Sequence, residues 1–182
     1  MTYELKNSRT GEAAEYRTTV DISEKDGMLT FAFTCENSRC YCPYSGYNKL
    51  HSCGDAVELL IGSDPERRFY YELELSPNND LMIGYMEYQG EEDGRPKLGL
   101  NFVDDCFITS TAEKTENGYK ATFRFPREKI LTGDGEVFFN AYRLETDGGE
   151  EMNKRLFSLN PVMRTWFHTP DKYVKLGDYV EN

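Results

Sequence analysis

The chain has 182 residues, and its 21 Lys and Arg against 32 Asp and Glu give a formal net charge of −11 at pH 7. Such an acidic surface repels phosphate backbones and anionic lipids, which argues against a nucleic-acid or membrane partner. No apolar run approaches the roughly 20 residues that a membrane-spanning helix needs. The length suits a single domain, 1–182, that needs no disulfide or metal in order to fold.

The dominant periodicity is two, which is typical of β-strands with one face toward a core. In 29–35, for example, Leu29, Phe31 and Phe33 share one face. Aromatic residues make up 14% of the chain and also favour pleated sheets. Segments 56–61 and 137–144 are apolar on both faces, which predicts central strands. In chain order the predicted strands are 18–22, 29–35, 56–61, 70–75, 81–88, 107–115, 119–125 and 137–144.

Turn residues predict how the strands connect. Asp26-Gly27 and Asn117-Gly118 favour the positive φ angles of tight hairpins. One short helical turn is predicted at 126–131. About nine or ten short strands joined mainly by hairpins predict an all-β fold, an antiparallel β-sandwich of immunoglobulin-like or jelly-roll shape.

Three long segments, 36–54, 89–105 and 145–170, are predicted as loops. Long ordered loops on a sandwich are a common location for binding residues. We therefore expect the functional residues to lie in these segments and on the strands next to them.

Cysteine usage and the first residues bear on the compartment. Five cysteines cannot all pair within one chain, and the first 20 residues contain no apolar signal-peptide core. These features predict reduced thiols and a cytoplasmic protein. An extracellular location is the alternative if the chain is a module excised from a larger secreted protein.

Segment 36–54 concentrates potential metal ligands. Cys40, Cys42, His51 and Cys53 lie within 14 residues, and thiolates together with an imidazole form tetrahedral zinc sites. Their spacing differs from Cys-x2-Cys knuckles, so the alternative is free thiols, with Cys35 buried as a small hydrophobe. Acidic loop clusters offer oxygen ligands for Ca²⁺ but follow no EF-hand spacing. The prediction is no cofactor, with Zn²⁺ or Ca²⁺ left open.

The sequence lacks the common catalytic signatures. It has two histidines and no Gly-x-Ser-x-Gly elbow, P-loop, Gly-x-Gly-x-x-Gly or His-Glu-x-x-His motif. A glycosidase needs two carboxylates across a cleft, and among 32 acidic residues no such pair stands out. We therefore predict no catalytic residue and no enzyme.

Aromatic side chains in the loops suit a polyhydroxyl ligand. Tyr41, Tyr44 and Tyr47 recur every three residues, and the single tryptophan, Trp166, lies two residues before His168. Such rings can stack on the CH face of a sugar while their polar tips contact hydroxyls. The alternative is that the tyrosines pack their loop onto the sandwich and that Trp166 belongs to the core.

Several segments, in this order, resemble the family-9 carbohydrate-binding modules and their relatives in the broad DOMON-like group. The resemblance covers about residues 16–177 and depends on the order and spacing of its landmarks. These are Asp55-Ala56-Val57-Glu58, Tyr70-Tyr71-Glu72-Leu73-Glu74, Phe125-Pro126 and Phe167-His168-Thr169-Pro170.

The resemblance implies a β-sandwich that binds glucans, xylans or short oligosaccharides without catalysis, usually alongside glycoside hydrolases. In the family, two tryptophans sandwich a sugar ring above polar residues on the strands. At the first tryptophan position this chain has Ser52-Cys53, and at the second it has 157–161. The polar glutamate is retained as Glu58, whereas the expected arginine falls at Glu74.

The predicted function is therefore a non-catalytic carbohydrate-binding domain associated with glycan degradation, with an oligosaccharide or polysaccharide as partner. One alternative is an accessory or enzyme unit acting on glycosyl bonds. Another is a degenerate module for protein interaction or metal binding through 35–53. We expect Glu58 to form a hydrogen bond or an ion pair with Arg143 or with another cation on the same face of the sheet. The predicted carbohydrate-binding residues are Glu58, Tyr142 and Arg143 as polar contacts, with Tyr44, Tyr47, Trp166 and His168.

Overall fold

The computed structural model describes residues 1–37, 39–49, 54–131, 135–149 and 154–180. This part of the chain contains 13 β-strands. They are β1 (Thr2–Glu4), β2 (Lys6–Asn7), β3 (Thr18–Lys25), β4 (Met28–Glu36), β5 (Ala56–Gly62), β6 (Phe69–Leu75), β7 (Leu81–Glu92), β8 (Arg95–Phe102), β9 (Thr109–Thr115), β10 (Gly118–Pro126), β11 (Phe138–Glu145), β12 (Arg155–Ser158) and β13 (Val174–Lys175).

The strands form two antiparallel sheets, which confirms the predicted β-sandwich. A five-stranded sheet has the order β1-β3-β4-β10-β9. An eight-stranded sheet has the order β2-β12-β11-β5-β6-β7-β8, with β13 paired to β11. The two strands predicted to be central, β5 and β11, lie side by side in the larger sheet.

The main core lies between the two sheets and follows the period-two pattern of the strands. Alternate residues of each strand point to the same face, so each strand contributes its apolar set to the interior. The rings of Phe31 and Phe139, one from each sheet, meet edge-on with centroids 5.4 Å apart. The core includes Phe31, Phe33, Phe123 and Phe125 from the smaller sheet and Leu59, Ile61, Leu73 and Phe139 from the larger one.

Two of the predicted loops contain strands. Segment 89–105 is largely the hairpin of β7 and β8, closed by Asp93 and Gly94 with φ angles of 52° and 72°. Segment 145–170 contains β12. The loop prediction was therefore wrong for these parts. Strand β8 is an edge strand in which no residue is buried, and β12 has only four residues, too few to show a clear period. The predicted helical turn at 126–131 is a single 3-10 turn, Arg127–Lys129.

Further 3-10 turns lie at Pro170–Lys172 and Leu176–Asp178. Within the described ranges, no helix has the length and apolar character needed to cross a bilayer.

Segment 159–175 covers part of the outer face of the eight-stranded sheet and builds a second apolar cluster there. Asn140 of β11 fastens this segment, because its Nδ2 donates to the Asn160 carbonyl at 2.8 Å and its Oδ1 accepts from the Asn160 amide at 3.0 Å. The cluster contains Leu60, Tyr70, Met86, Phe138, Tyr142, Leu144, Leu156, Val162, Phe167 and Tyr173. The covering segment and the sheet face together form a pocket.

Candidate functional site

A pocket of about 230 Å³ lies between the outer face of the eight-stranded sheet and segment 159–175. Three glutamates form its floor: Glu58 from β5 and Glu72 and Glu74 from β6. The remaining lining residues are Leu144, Lys154, Leu156, Thr165, Trp166, Phe167 and His168. The pocket therefore combines an acidic floor with aromatic and aliphatic walls.

Strand register explains why the three carboxylates meet. Glu58 lies opposite Glu74 in the pairing of β5 with β6, and Glu72 is two residues from Glu74 on the same face. All three are nearly buried, with 6–7% of each residue exposed. Oε1 of Glu58 has no hydrogen-bond partner among the described residues. Burial, followed by the charges of Glu72 and Glu74, raises the pKa of Glu58 well above its usual range.

His168 connects the floor of the pocket to its wall. Its Nε2 lies 3.3 Å from Oε1 of Glu72, and its Nδ1 lies 2.9 Å from the hydroxyl of Tyr70. Glu58, Glu72 and His168 each offer a ligand atom within 4.8 Å of the others, the one cluster of potential metal ligands in the described part of the chain. The structure thus brings together two predicted site residues, Glu58 and His168.

Trp166 lies in the pocket wall, half-buried and outside both apolar clusters. The guanidinium of Arg164 lies over its ring at 5.6 Å from the centroid and forms an ion pair with Glu91. The buried indole N–H has no hydrogen-bond partner among the described residues. Trp166 is therefore placed where a bound ring can contact it.

Tyr142 lies beneath the pocket and does not line it. The residue is fully buried, its hydroxyl donates to the carbonyl of Phe167 at 3.0 Å, and its ring stacks on Phe167 with centroids 4.2 Å apart. The expected polar contact from Tyr142 to a ligand is therefore wrong for this pocket. Tyr142 instead supports the segment that carries Trp166 and His168.

Arg143 lies on the opposite face of the sheet from Glu58, so the expected ion pair between them is wrong. Neighbouring residues of a strand point to opposite faces, and Arg143 pairs in register with Val57 rather than with Glu58. Its fully buried guanidinium donates to Oγ1 of Thr18 at 2.8 Å and forms an ion pair with Glu145. Arg143 therefore belongs to the sandwich interior and cannot contact a ligand in the pocket.

The loop tyrosines lie away from the pocket. Tyr44 and Tyr47 are 49% and 41% exposed, and the hydroxyl of Tyr47 donates to the carbonyl of Val103 at 2.6 Å. Neither is among the described residues that line the pocket. The structure therefore does not group these two predicted residues with Glu58 and Trp166.

Segments 36–54 and 145–170 come together at Asp55, which hydrogen-bonds to residues of both. Its Oδ1 accepts from the amide and the hydroxyl of Thr146, both at 2.7 Å, and its Oδ2 accepts from the Tyr41 amide at 2.7 Å. Asp55 is 1% exposed. This landmark residue therefore ties two loops together rather than facing the pocket.

The described cysteines are free thiols: Cys35 is buried, Cys40 and Cys42 are half-buried, and Cys106 is exposed. Burial raises the pKa of Cys35 to about 11 and that of Cys42 to about 12. The other two candidate zinc ligands, His51 and Cys53, lie outside the described residues. A zinc site in this loop therefore stays an open alternative to the predicted free thiols.

Sequence reasoning missed Glu72 and Glu74 as site residues. Their alternation with Leu73 and Leu75 predicts a solvent-facing strand side, yet segment 159–175 covers that side. The available signal was the position of Glu74, where the resemblance leads one to expect an arginine. Because Glu74 pairs in register with Glu58, a glutamate at this position completes a cluster of three carboxylates.

A second and larger depression, of about 600 Å³, lies at the tip of the β7–β8 hairpin. It is lined by Glu92, Asp93, Arg95, Pro96 and Lys97. None of these residues is aromatic or buried. The depression is therefore the open surface of a turn, and the pocket above the three glutamates is the better candidate site.

Comparison with known proteins links the fold to carbohydrate-binding structures. No family model and no curated protein matches the chain. A candidate carbohydrate-binding protein from Bacteroides uniformis aligns with a TM-score of 0.74 at 12% identity, over 96% of this chain and 84% of that one.

Two structures of a family-9 carbohydrate-binding module from Caldicellulosiruptor kristjanssonii also align with the chain. The glucose complex has a TM-score of 0.63 at 12% identity, over 95% of this chain and 82% of that one. The cellotriose complex has a TM-score of 0.66 at 11% identity, over 96% and 80%. The chain therefore has the fold of the family-9 carbohydrate-binding modules.

Proposed function

We propose that this domain is a non-catalytic module that binds a glucan- or xylan-type oligosaccharide in the pocket between Trp166 and the glutamate floor. The observation that carries the proposal is this pairing of an indole ring with hydrogen-bonding carboxylates in one pocket. We extend the proposal to a setting in glycan degradation, the usual context of such modules.

The chemistry of the pocket suits a single sugar ring. At about 230 Å³ it is smaller than the roughly 300–1,000 Å³ of typical ligand pockets. Carboxylates accept hydrogen bonds from hydroxyls, while Trp166, Leu144 and Leu156 offer apolar surface to the CH groups of the ring. The structures of the same fold in complex with glucose and cellotriose support the same ligand class.

The arrangement of the carboxylates favours binding over hydrolysis. A glycosidase places its acid and its nucleophile or base on either side of the scissile bond. Here Glu58, Glu72 and Glu74 all come from one face of one sheet and line the same floor. An assay for released reducing sugar should therefore find no activity for the purified domain.

Isothermal titration in EDTA-containing buffer with cello-, xylo- and manno-oligosaccharides tests the proposal. Because the tryptophan positions of the family hold other residues in this chain, we expect weak binding, with Kd on the order of 0.1–1 mM. Cello- or xylo-oligosaccharides should bind more tightly than manno-oligosaccharides. Absence of heat with all three series at millimolar concentration would exclude the proposal.

The variant Trp166→Ala provides a sharper test. Removing the stacking surface should abolish measurable binding, and the thermal midpoint should stay nearly unchanged because Trp166 lies outside both apolar clusters. Tyr44→Ala is the matched control, since Tyr44 is exposed and away from the pocket, and it should bind like the parent. A large loss of stability in Trp166→Ala would instead make the residue part of the core.

A further inference from the structure

We propose that Glu58, Glu72 and His168 form a binding site for a divalent transition-metal ion of the Zn²⁺ type. The site shares the pocket with the proposed sugar, but it does not depend on sugar binding. It is also separate from the cysteine-containing loop, whose described thiols lie elsewhere.

The spacing of the three side chains fits a single ion. Bond lengths of about 2.0–2.2 Å to nitrogen and oxygen place tetrahedral zinc ligands about 3.4 Å apart. His168 Nε2 and Glu72 Oε1 lie 3.3 Å apart, so this pair already has the required spacing. The ligand atoms of the trio lie within 4.8 Å of one another. Small side-chain rotations of Glu58 are therefore enough to complete the set.

Glu58 supplies an independent sign that a cation belongs here. Glu58 is 6% exposed and lines the pocket, and its Oε1 has no hydrogen-bond partner among the described residues. A buried carboxylate without a partner is costly, and two further glutamates on the same floor add to the negative potential. A divalent ion would offset this charge and give the unpartnered oxygen a ligand role.

His168 is held in an orientation that suits a metal ligand. Its Nδ1 lies 2.9 Å from the hydroxyl of Tyr70, which leaves Nε2 facing Glu72. Metal-bound histidines usually use their second ring nitrogen in such a hydrogen bond, which fixes the ring and its tautomer. Tyr70 is itself 1% exposed and packs edge-on against Tyr173 at 5.3 Å. The residue that holds His168 is therefore itself packed in the apolar cluster of the outer sheet face.

The donor set selects the class of ion. Ca²⁺ and Mg²⁺ prefer oxygen ligands throughout, whereas imidazole combined with carboxylates suits Zn²⁺ and its neighbours. Two carboxylates also match the charge of a divalent ion. Three protein ligands leave a further coordination position for water or a hydroxyl group in the pocket.

Isothermal titration calorimetry tests the site. Protein that has been stripped with EDTA and desalted is titrated with ZnCl₂ alone and, in a parallel experiment, with CaCl₂. We expect a high-affinity phase of one Zn²⁺ per chain and no comparable Ca²⁺ binding. Glu72→Gln and His168→Gln should each weaken zinc binding at least ten-fold, because each removes one ligand. Thermal midpoints measured in EDTA identify any variant that fails to fold. We expect His168→Gln to fold, because His168 lies at the edge of the pocket.

Two controls separate this site from other zinc sources. Cys40→Ser combined with Cys42→Ser should leave the high-affinity phase intact, and so should Glu113→Gln on an exposed strand position of the other sheet. Loss of zinc binding in the cysteine variant together with its retention in His168→Gln would overturn the proposal, and so would the absence of zinc heat in the parent. Sugar binding measured in EDTA is independent of either result.

Discussion

Glu58 is a pocket residue whose ionised form is strongly destabilised by its surroundings. Its carboxyl group is buried, and the other titratable groups that line the pocket are Glu72, Glu74, His168 and Lys154. Burial and then the two glutamates raise its pKa well above the usual range. At pH values between the unfolded and the folded pKa, such an acid keeps its proton in the folded protein but has lost it in the unfolded chain. Stability from this group is therefore full below the unfolded pKa of about 4.3 and falls as pH rises through the folded pKa.

We predict that Glu58→Gln raises the thermal midpoint at pH 7–8 in EDTA and has little effect near pH 4. Each pH unit between the unfolded and folded pKa values costs the parent about 1.4 kcal/mol, which corresponds to about 4 °C in a domain of this size. Scanning calorimetry from pH 4 to pH 8 measures the difference. Glu113→Gln controls for net charge. A gain that is equal at both ends of the pH range would contradict the assignment.

Strand β11 shows how one element serves two different purposes. Tyr142 and Leu144 face the covering segment, while Arg143 and Glu145 face the interior between the sheets. Glu145 is bound by Arg143 and also accepts from Nδ2 of Asn37 at 2.9 Å and the Asp147 amide at 2.7 Å. This buried ion pair therefore links both sheets and the loop that follows β11.

We predict that Arg143→Met destabilises the fold without altering the pocket. Removing one partner of a buried ion pair costs about 3–5 kcal/mol, which lowers the thermal midpoint by roughly 10 °C. The double variant Arg143→Met with Glu145→Gln should recover part of this loss, because no unpaired buried charge remains. Sugar affinity of the folded variant should match the parent. A selective loss of affinity at unchanged stability would restore a ligand role for Arg143.

At the scale of the molecule, the two ends of the chain are built into the same sandwich. Strand β1 pairs with β3 in the smaller sheet and β2 pairs with β12 in the larger one. The ring of Tyr179 packs at 4.9 Å from Tyr3 and at 5.4 Å from Phe139. One apolar core is shared by both sheets. These contacts favour folding as one unit.

We predict that thermal unfolding of residues 1–182 under reducing conditions is a single cooperative transition. Its enthalpy should be about 130 kcal/mol, from about 0.7 kcal/mol per residue near 60 °C. Differential scanning calorimetry should give equal calorimetric and van't Hoff enthalpies. Two resolved transitions, or a van't Hoff enthalpy well below the calorimetric one, would show that the chain is not one folding unit.

Local patterns in the sequence were enough for most strands and for the sandwich itself. Period-two alternation depends only on neighbouring residues, and dipeptides such as Asp26-Gly27 specify a hairpin without distant contacts. Strand β8 escaped prediction because none of its residues is buried, so its sequence carries no core-facing pattern. The prediction of Glu58 and His168 as carbohydrate-binding residues also came from the sequence, through the order of its landmarks, and the structure places both in one pocket.

The composition of the pocket depended on contacts between distant parts of the chain. Alternation along the predicted strand 137–144 places Tyr142 and Arg143 on opposite faces of the sheet. Because both faces of this strand carry apolar residues, the sequence does not show which of the two side chains points into the interior. Glu72 and Glu74 have the pattern of a solvent-facing strand side, and only segment 159–175, about 90 residues further along, buries them beside Glu58. Strand register and the covering of a sheet face are long-range properties, so they arise from packing and not from the local pattern of residues.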